Sequence, residues 1–450
     1  MSSNYSKQSI FSYAGFRDIF IGQLISQFGD VLYFLVFLWW AYEIGGAAAV
    51  GIVSACSVGA YLVLSLYAGT VADRYDRRTI LLVSDIACAI IIVGLIVVVL
   101  IDPTPRLWVL CAFTVALKAA FVFQRPARTA AIPRLVPTAR LLEANSLNTT
   151  FQTAMPLAGN ALGAVVLGAI FKLSASLAYI VTFAVNGITF ILSAIFMAKL
   201  PPIVPEREGP PKHAWHEAKE GIKFIWSHSV LRPCAILFFG FEFFVAPFMP
   251  AYVIAAKTTF ASGFNLFGLN IAGPALLALL ETGFFLGFVL GSFVLYKRPV
   301  HRVGYAFAVF MALGSLTIIP MGWITSIPLF WFLNFLCGLC FPFGIIPLET
   351  FMQTVTPDEF RGRMSSAIGT LSASAAPVGM LLSGFLIVWI GLTGTFAFIG
   401  IGLVITALAG LIPASFRRAR LTNEQAEGHV SDEQITPGAL VQETVSATAE

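Results

Sequence analysis

The chain has 450 residues, 58% of them hydrophobic and only 11% charged, with 41 Phe and a formal net charge of +4. No soluble domain of this length can bury that much apolar surface against itself, so the composition excludes a soluble enzyme or a nucleic-acid binder and defines an integral membrane protein.

The polar opening MSSNYSKQSIFSYAGFRD, residues 1–18, lacks the basic, apolar and cleavage-site order of a signal peptide. It reads as a cytoplasmic N-terminus, and the first helix is expected to stay in the mature chain. A helix that crosses the hydrocarbon needs about 20 apolar residues. Six such runs follow, at 19–42, 47–71, 79–101, 107–126, 144–171 and 175–198, making an N-terminal bundle over 19–199. The stretch 200–229 is polar and carries Pro201, Pro202, Pro205, Pro210 and Pro211, which prevent regular helix. Within it HAWHEAKEGIKFIW can lie on the membrane surface as an amphipathic helix, so the stretch reads as a cytoplasmic linker. Six further runs, at 233–255, 274–296, 303–324, 327–348, 364–390 and 393–414, make a C-terminal bundle over 230–414. Residues 415–450 are polar after Arg420 and punctuated by Pro and Gly, and are expected to form a disordered cytoplasmic tail.

The predicted fold is an all-α membrane protein of twelve transmembrane helices in two pseudo-symmetric six-helix bundles. Its orientation follows from Lys and Arg, which favour the cytoplasmic side. With both termini cytoplasmic, all but four of the 27 bases fall inside; Arg106, Lys172 and Lys257 lie outside, and Lys118 lies within a helix. The basic loops are expected to rest on anionic headgroups. The halves resemble each other weakly. Pro137 and Pro156 bracket the start of the fifth helix as Pro357 and Pro377 bracket that of the eleventh, and QFGDVLYF faces FFGFEFFV, which pairs Asp30 with Glu242.

Four ionisable side chains within the apolar runs stand out: Asp30, Lys118, Glu242 and Glu281. Each costs roughly 2.5 to 3.5 kcal/mol at the centre of a bilayer, a penalty kept where a cavity, a partner or a function offsets it. Asp30 lies 13 residues past Arg17 and Lys118 lies 12 past Arg106. At about 1.5 Å per residue both sit near the midplane. A carboxyl group that alternates between wet and dry surroundings exchanges its proton as it does so, so Asp30 and Glu242 are candidate coupling groups. The alternative is a structural ion pair between Lys118 and one acid. Glu281 is placed about 12 Å in, within reach of an outer vestibule. On its helix Gly283, Gly287 and Gly291 repeat every four residues, which reads as close helix packing. Aromatic residues such as Phe34, Trp39, Trp40, Phe241, Phe243, Phe244 and Trp331 can line a pocket or anchor at the lipid interface.

The six Cys all lie in apolar runs, and the spacing of Cys337 and Cys340 without partner ligands reads as packing. No His falls in a spanning run, and no GxxxxGK[ST], HExxH or GxSxG motif occurs. Neither a metal centre nor direct drive by ATP is expected.

GTVADRYDRR, after the second helix, matches the loop signature GxxxDRxGRR of the major facilitator superfamily, and together with six plus six helices about a central loop it makes the chain resemble that family over residues 15–415. Asp76 replaces the usual glycine and is expected to pair with Arg77 or Arg78. FRDIFIGQLISQFGD, FQRPARTAAIPRLVP and VTPDEFRGR further resemble the branch of siderophore exporters and macrolide-type efflux proteins. The resemblance implies two bundles rocking about a central cavity, with Lys118 in the family's basic position on the fourth helix. It implies a cytoplasmic gate of Gly69, Asp73, Arg74, Arg77 and Arg78 against the start of the eleventh helix, with Arg361 and Arg363. The antiporter pattern GPxxGG of helix five is degraded here, leaving Pro156, Gly159 and Gly163 as its hinge. The expected function is proton-coupled export of an amphipathic small molecule, a drug-like compound or siderophore, by a monomer in the bacterial inner membrane. The proton gradient is its energy source, and no cofactor is expected. Its partners are the solute, protons and membrane lipids. A solute importer of the same fold and a non-transporting scaffold or receptor are the alternatives.

Overall fold

The computed structural model describes residues 9–421 apart from 73, 138–139, 172–173, 205–222, 224, 229–230, 267–268 and 357. After a 3-10 turn, Ile10–Ser12, the N-terminal half comprises α1 (Ala14–Ala72), α2 (Arg77–Ile101), α3 (Leu107–Phe121), α4 (Gln124–Leu135), α5 (Leu141–Phe171) and α6 (Ala175–Ala198). The C-terminal half comprises α7 (Leu231–Val245), α8 (Phe248–Lys257), a hairpin of β1 (Phe264–Leu266) and β2 (Leu269–Ile271), α9 (Pro274–Lys297), α10 (Val303–Leu316), α11 (Ile327–Val355), α12 (Asp358–Ala409) and a short α13 (Ala414–Arg417). Ten helices among the described residues are long and apolar enough to cross a membrane.

Two of them are jointed. α1 holds 59 residues, which would run to about 90 Å if straight, more than twice a bilayer. Gly45 (φ −149°, ψ 23°) and Gly46 (φ 62°, ψ −153°) leave the helical region and divide it into two arms. In α12 Gly391 does the same at φ 71°. Nothing lies within 4 Å of a Cβ placed on Gly46 or Gly391, so it is backbone conformation that calls for glycine there.

Elsewhere glycine serves contact. A Cβ on Gly287 or Gly291 of α9 would run into the carbonyls of Phe335 and Leu339 on α11, and one on Gly338 of α11 would run into that of Phe284 on α9. The four-residue glycine repeat is a packing seam, as its spacing predicts. The halves meet closely where a Cβ on Gly51 would lie 2.9 Å from Met380 O and one on Gly384 would lie 3.0 Å from Ala48 Cα. The core is aromatic, with Trp40 and Phe183 buried in one half and Tyr252, Phe330 and Phe396 in the other.

The structure departs from the predicted elements in three places. The helix predicted over 107–126 continues as α4 to Leu135, and that predicted over 233–255 breaks before Phe248, in a Pro247-containing stretch. The expected disorder does not begin at 415. Phe416 is fully buried, Leu421 N donates to His301 O (2.9 Å), and Val303 N donates to Ala419 O (3.1 Å), because the apolar residues of this stretch bury themselves against the start of α10. Most of the predicted amphipathic linker helix, residues 213–222 and 224, and residues 422–450 lie outside the described residues.

Candidate functional site

The helix ends that carry Arg74, Arg77, Arg78, Lys199, Lys297, Arg298 and Arg302 form a basic end; the opposite end carries Glu43 and Lys257. Between the halves lies a cavity of about 660 Å³. Its wall is largely apolar, with Tyr33, Phe34 and Phe37 of α1, Phe248 and Tyr252 of α8, and Phe284 and Phe285 of α9. Three of the four singled-out charges line it: Asp30 and Lys118 from one half, Glu281 from the other.

Asp30 is set by Gly29, whose missing side chain lets α1 press on α6: a Cβ there would lie 3.1 Å from Asn186 Cα. Lys118 bears on Asp30 electrostatically. Among the described residues, however, no ion pair within 4.0 Å joins them, and Lys118 Nζ stands 5.5 Å from the Phe121 ring centroid. The structural ion pair between Lys118 and Asp30, the alternative reading, is therefore not formed at that distance. Glu281 accepts a hydrogen bond of 2.7 Å from Asn160 Nδ2 of α5, which crosses from one half to the other. Several polar residues of the wall keep atoms with no hydrogen-bond partner among the described residues, including Ser54 Oγ, Thr114 Oγ1, Asn160 Oδ1 and Asn334 Oδ1. Such groups bind ligand or water in preference to standing bare.

Glu242 does not join this set. It is half-buried on α7, one turn before the lining residue Val245, and the cavity stops short of it. Alignment of the two halves paired it with Asp30 by register, but the break before Phe248 carries the lining on to α8. The helix-five residues pack closely. Pro156 sits within a continuous α5 and lines the cavity, while Gly159 and Gly163 receive Val31 and Leu32 of α1.

The end opposite the basic one is closed by a cluster that sequence reasoning passed over. Lys257 Nζ of α8 reaches Glu43 Oε1 of α1 at 2.8 Å, Trp39 Nε1 donates to the same oxygen at 3.1 Å, and Tyr179 O–H of α6 donates to Glu43 Oε2. The ammonium also lies 4.2 Å from the Trp39 ring centroid, a cation–π distance. Glu43 falls one residue past the apolar run 19–42, which is why depth counting missed it. Its spacing of four from Trp39 was the available signal.

At the basic end Asp73 and the side chains of Arg361 and Arg363 lie outside the described residues. Gly69 is on the second arm of α1, and Arg74 is exposed in the turn. Arg77 is buried, and its Nε and one terminal nitrogen have no partner among the described residues. Arg78 donates to Ala198 O at 2.7 Å. Asp76 pairs with neither arginine. It caps α2, accepting from Thr79 N (3.3 Å) and Thr79 Oγ1 (2.8 Å), and it also takes Ile203 N at 2.6 Å. An aspartate suits this position because the first amides of a helix need acceptors. Partial burial works against its charged form, but the hydrogen bonds from Thr79 and from the backbone amides of Ile203 and Arg78 outweigh that and hold the carboxyl below its usual range.

Two helical halves, a central cavity between them and charges retained inside an apolar wall define a membrane transporter of small solutes. The chain belongs to the Major Facilitator Superfamily, whose model matches residues 19–380 and 272–441. It is a multi-pass protein of the cell membrane. It is 26% identical over 416 residues to the multidrug efflux pump Tap of Mycobacterium tuberculosis, covering 88% of this chain and 93% of that one. It is 23% identical over 400 residues to macrolide efflux protein A of Streptococcus pyogenes, covering 87% and 94%. In fold it is similar to a POT family transporter in complex with a thioalcohol conjugated peptide, with a TM-score of 0.67 at 15% identity, covering 88% of this chain and 94% of that one.

Proposed function

We propose that the protein is a proton-coupled exporter of amphipathic small molecules, with a drug-like compound or a siderophore as cargo. The observation that carries this reading is one aromatic-walled cavity that holds Asp30 and Lys118 from one half and Glu281 from the other. An apolar, partly aromatic wall with a few charges takes amphipathic solutes. A carboxyl within it can trade its proton as the two sides open in turn, with Asp30 as the principal exchanger. The efflux relatives favour export over import. Twelve crossings with both termini in the cytoplasm belong to this reading; the joints at Gly45–Gly46 and Gly391 within two of the ten long helices, and the distribution of Lys and Arg, support it. The Glu43–Lys257 end is then the outer one. The protein acts as a monomer with the proton gradient as its energy source, transporting rather than catalysing.

The test is uptake of ethidium into everted vesicles. An inside-acid gradient should drive accumulation, and Asp30→Asn should remove it. Movement only in the opposite sense would establish the importer instead, and a protein that moves no solute after reconstitution into liposomes would be a scaffold or receptor.

A further inference from the structure

A fourth acid, Asp85, lies in the apolar run 79–101 and takes no part in the cavity. It is 3% exposed on α2 and accepts a hydrogen bond of 2.8 Å from Gln124 Nε2. Among the described residues no Lys or Arg nitrogen lies within 4.0 Å of it. The charged and titratable groups that face it are Arg128 of α4, Asp30 of α1 and Cys88 of α2, with Lys118 of α3 acting on Asp30 and Cys88; α6 presents the Ser193 hydroxyl.

Asp85 and Asp30 are joined by a buried polar file on α6. Asn186 faces Asp30 and Ser193 faces Asp85, with Thr189 between them. All three are less than a tenth exposed. From Asn186 to Ser193 is about 10 Å along the helix, toward the basic end. The file is dressed against α1, since a Cβ on Gly22 would fall 3.2 Å from Ser193 Oγ. Among the described residues Asn186 Nδ2, fully buried, has no acceptor at hydrogen-bond distance, Asp30 included. A buried acid without an ion-pair partner is costly, and within a membrane such groups mark ion pathways.

We propose that Asp85 is a second proton carrier, and that the file from Asp30 past Asn186, Thr189 and Ser193 passes protons between the cavity and the basic end without entering the cargo space. Asp30, as the acid, gives its proton to the Thr189 hydroxyl, once that hydroxyl turns from Asn186 O where it donates at 2.7 Å, as Thr189 passes its own proton to Ser193 and Ser193 passes its own to the Asp85 carboxylate. The hydroxyls end neutral, Asp30 ends charged, and Asp85 ends as the acid, which then releases the proton beside Gln124. Cargo and proton need not compete for one space. The inference rests on Asp30 as the exchanging group.

The deciding experiment is a pH titration of protonated-carboxyl infrared bands on the purified full-length protein in lipid nanodiscs, with no cargo present. Asp85→Asn should delete one band and move the midpoint of the Asp30 band by about one pH unit, the scale on which interacting acids titrate as a pair. Asp85→Glu should restore two linked bands. An Asp30 midpoint unmoved by Asp85→Asn overturns the proposal, whatever the protein exports. In proteoliposomes with ethidium as the probe, Asp85→Asn should lower the gradient-driven rate by about a hundred-fold or more while ethidium exchange at equal pH persists. Equal loss of both rates would mark a merely structural acid. Linked bands in a native protein that moves no ethidium would sink the export reading and leave the relay standing.

Discussion

Asn160 of α5 and Glu281 of α9 are 121 positions apart in sequence and share a hydrogen bond of 2.7 Å across the two halves. Asn160 can donate to a charged or a neutral carboxyl, so the link outlasts protonation of Glu281. Replacing it by Ala leaves a buried carboxyl without its donor, which costs about 1 to 3 kcal/mol in the closed arrangement. Spin-label distances across the Glu43–Lys257 end should report a larger open fraction in Asn160→Ala, whereas Glu281→Gln should keep the native distribution.

The outer cluster predicts an asymmetry. Lys257→Ala removes a partly exposed ion pair and its contact with Trp39, about 1 kcal/mol together. Glu43→Ala strands Lys257, Trp39 Nε1 and the Tyr179 hydroxyl at once. Thermal unfolding in detergent should rank Glu43→Ala below Lys257→Ala, and equal midpoints would mean that the Trp39 and Tyr179 bonds contribute nothing.

Asp76 adds a pH dependence at the basic end. Its folded carboxyl is held below the unfolded value of about 3.9, so its stabilisation is present above that value and is lost as pH falls through the folded one. Asp76→Ala should cost about 1 kcal/mol at neutral pH, as loss of a helix cap does, and less in acid. A difference between native and Asp76→Ala that is flat from neutral pH to pH ~3 would count against the cap.

Two glycines should answer differently to Ala. Gly46→Ala meets no neighbouring atom and only the strain of a backbone region essentially reserved for glycine, about 1 to 3 kcal/mol. Gly287→Ala drives a methyl group into the Phe335 carbonyl, which overpacks a helix seam and costs about 3 kcal/mol or more. Yield and unfolding midpoint should separate them in that order.

Depth was legible in the sequence and azimuth was not. Counting residues from Arg17 and from Arg106 placed Asp30 and Lys118 at the middle of the molecule, where both line the cavity. The same counting cannot say which way a side chain faces after a helix breaks, and so Glu242 was grouped with Asp30 while the break before Phe248 carried the lining away from it. Glu281 could be located along α9, yet its partner Asn160 belongs to another half and leaves no local pattern. Asp85 lies eight residues past Arg77, and Glu43 lies one past an apolar run. Glu43 sits where a charge near a helix end passes for a loop residue, whereas Asp85 lies as deep as Glu281 and the same counting would have found it. The glycine repeat on α9 was readable because a spacing of four on one helix defines a single face. Hydropathy found the two arms of α1 and of α12 separately, and the backbone breaks between them, at Gly45–Gly46 and at Gly391.

The seam between α9 and α11 is built in both directions, glycine of each helix against carbonyl of the other. Contacts of backbone on backbone have no side-chain torsions to give, so the two helices behave as one stiff beam. A molecule that must tilt therefore takes up its strain elsewhere, as at α5 against α9, where glycines of α5 meet side chains rather than backbone. Compliance in this protein is a property of the boundary between the halves.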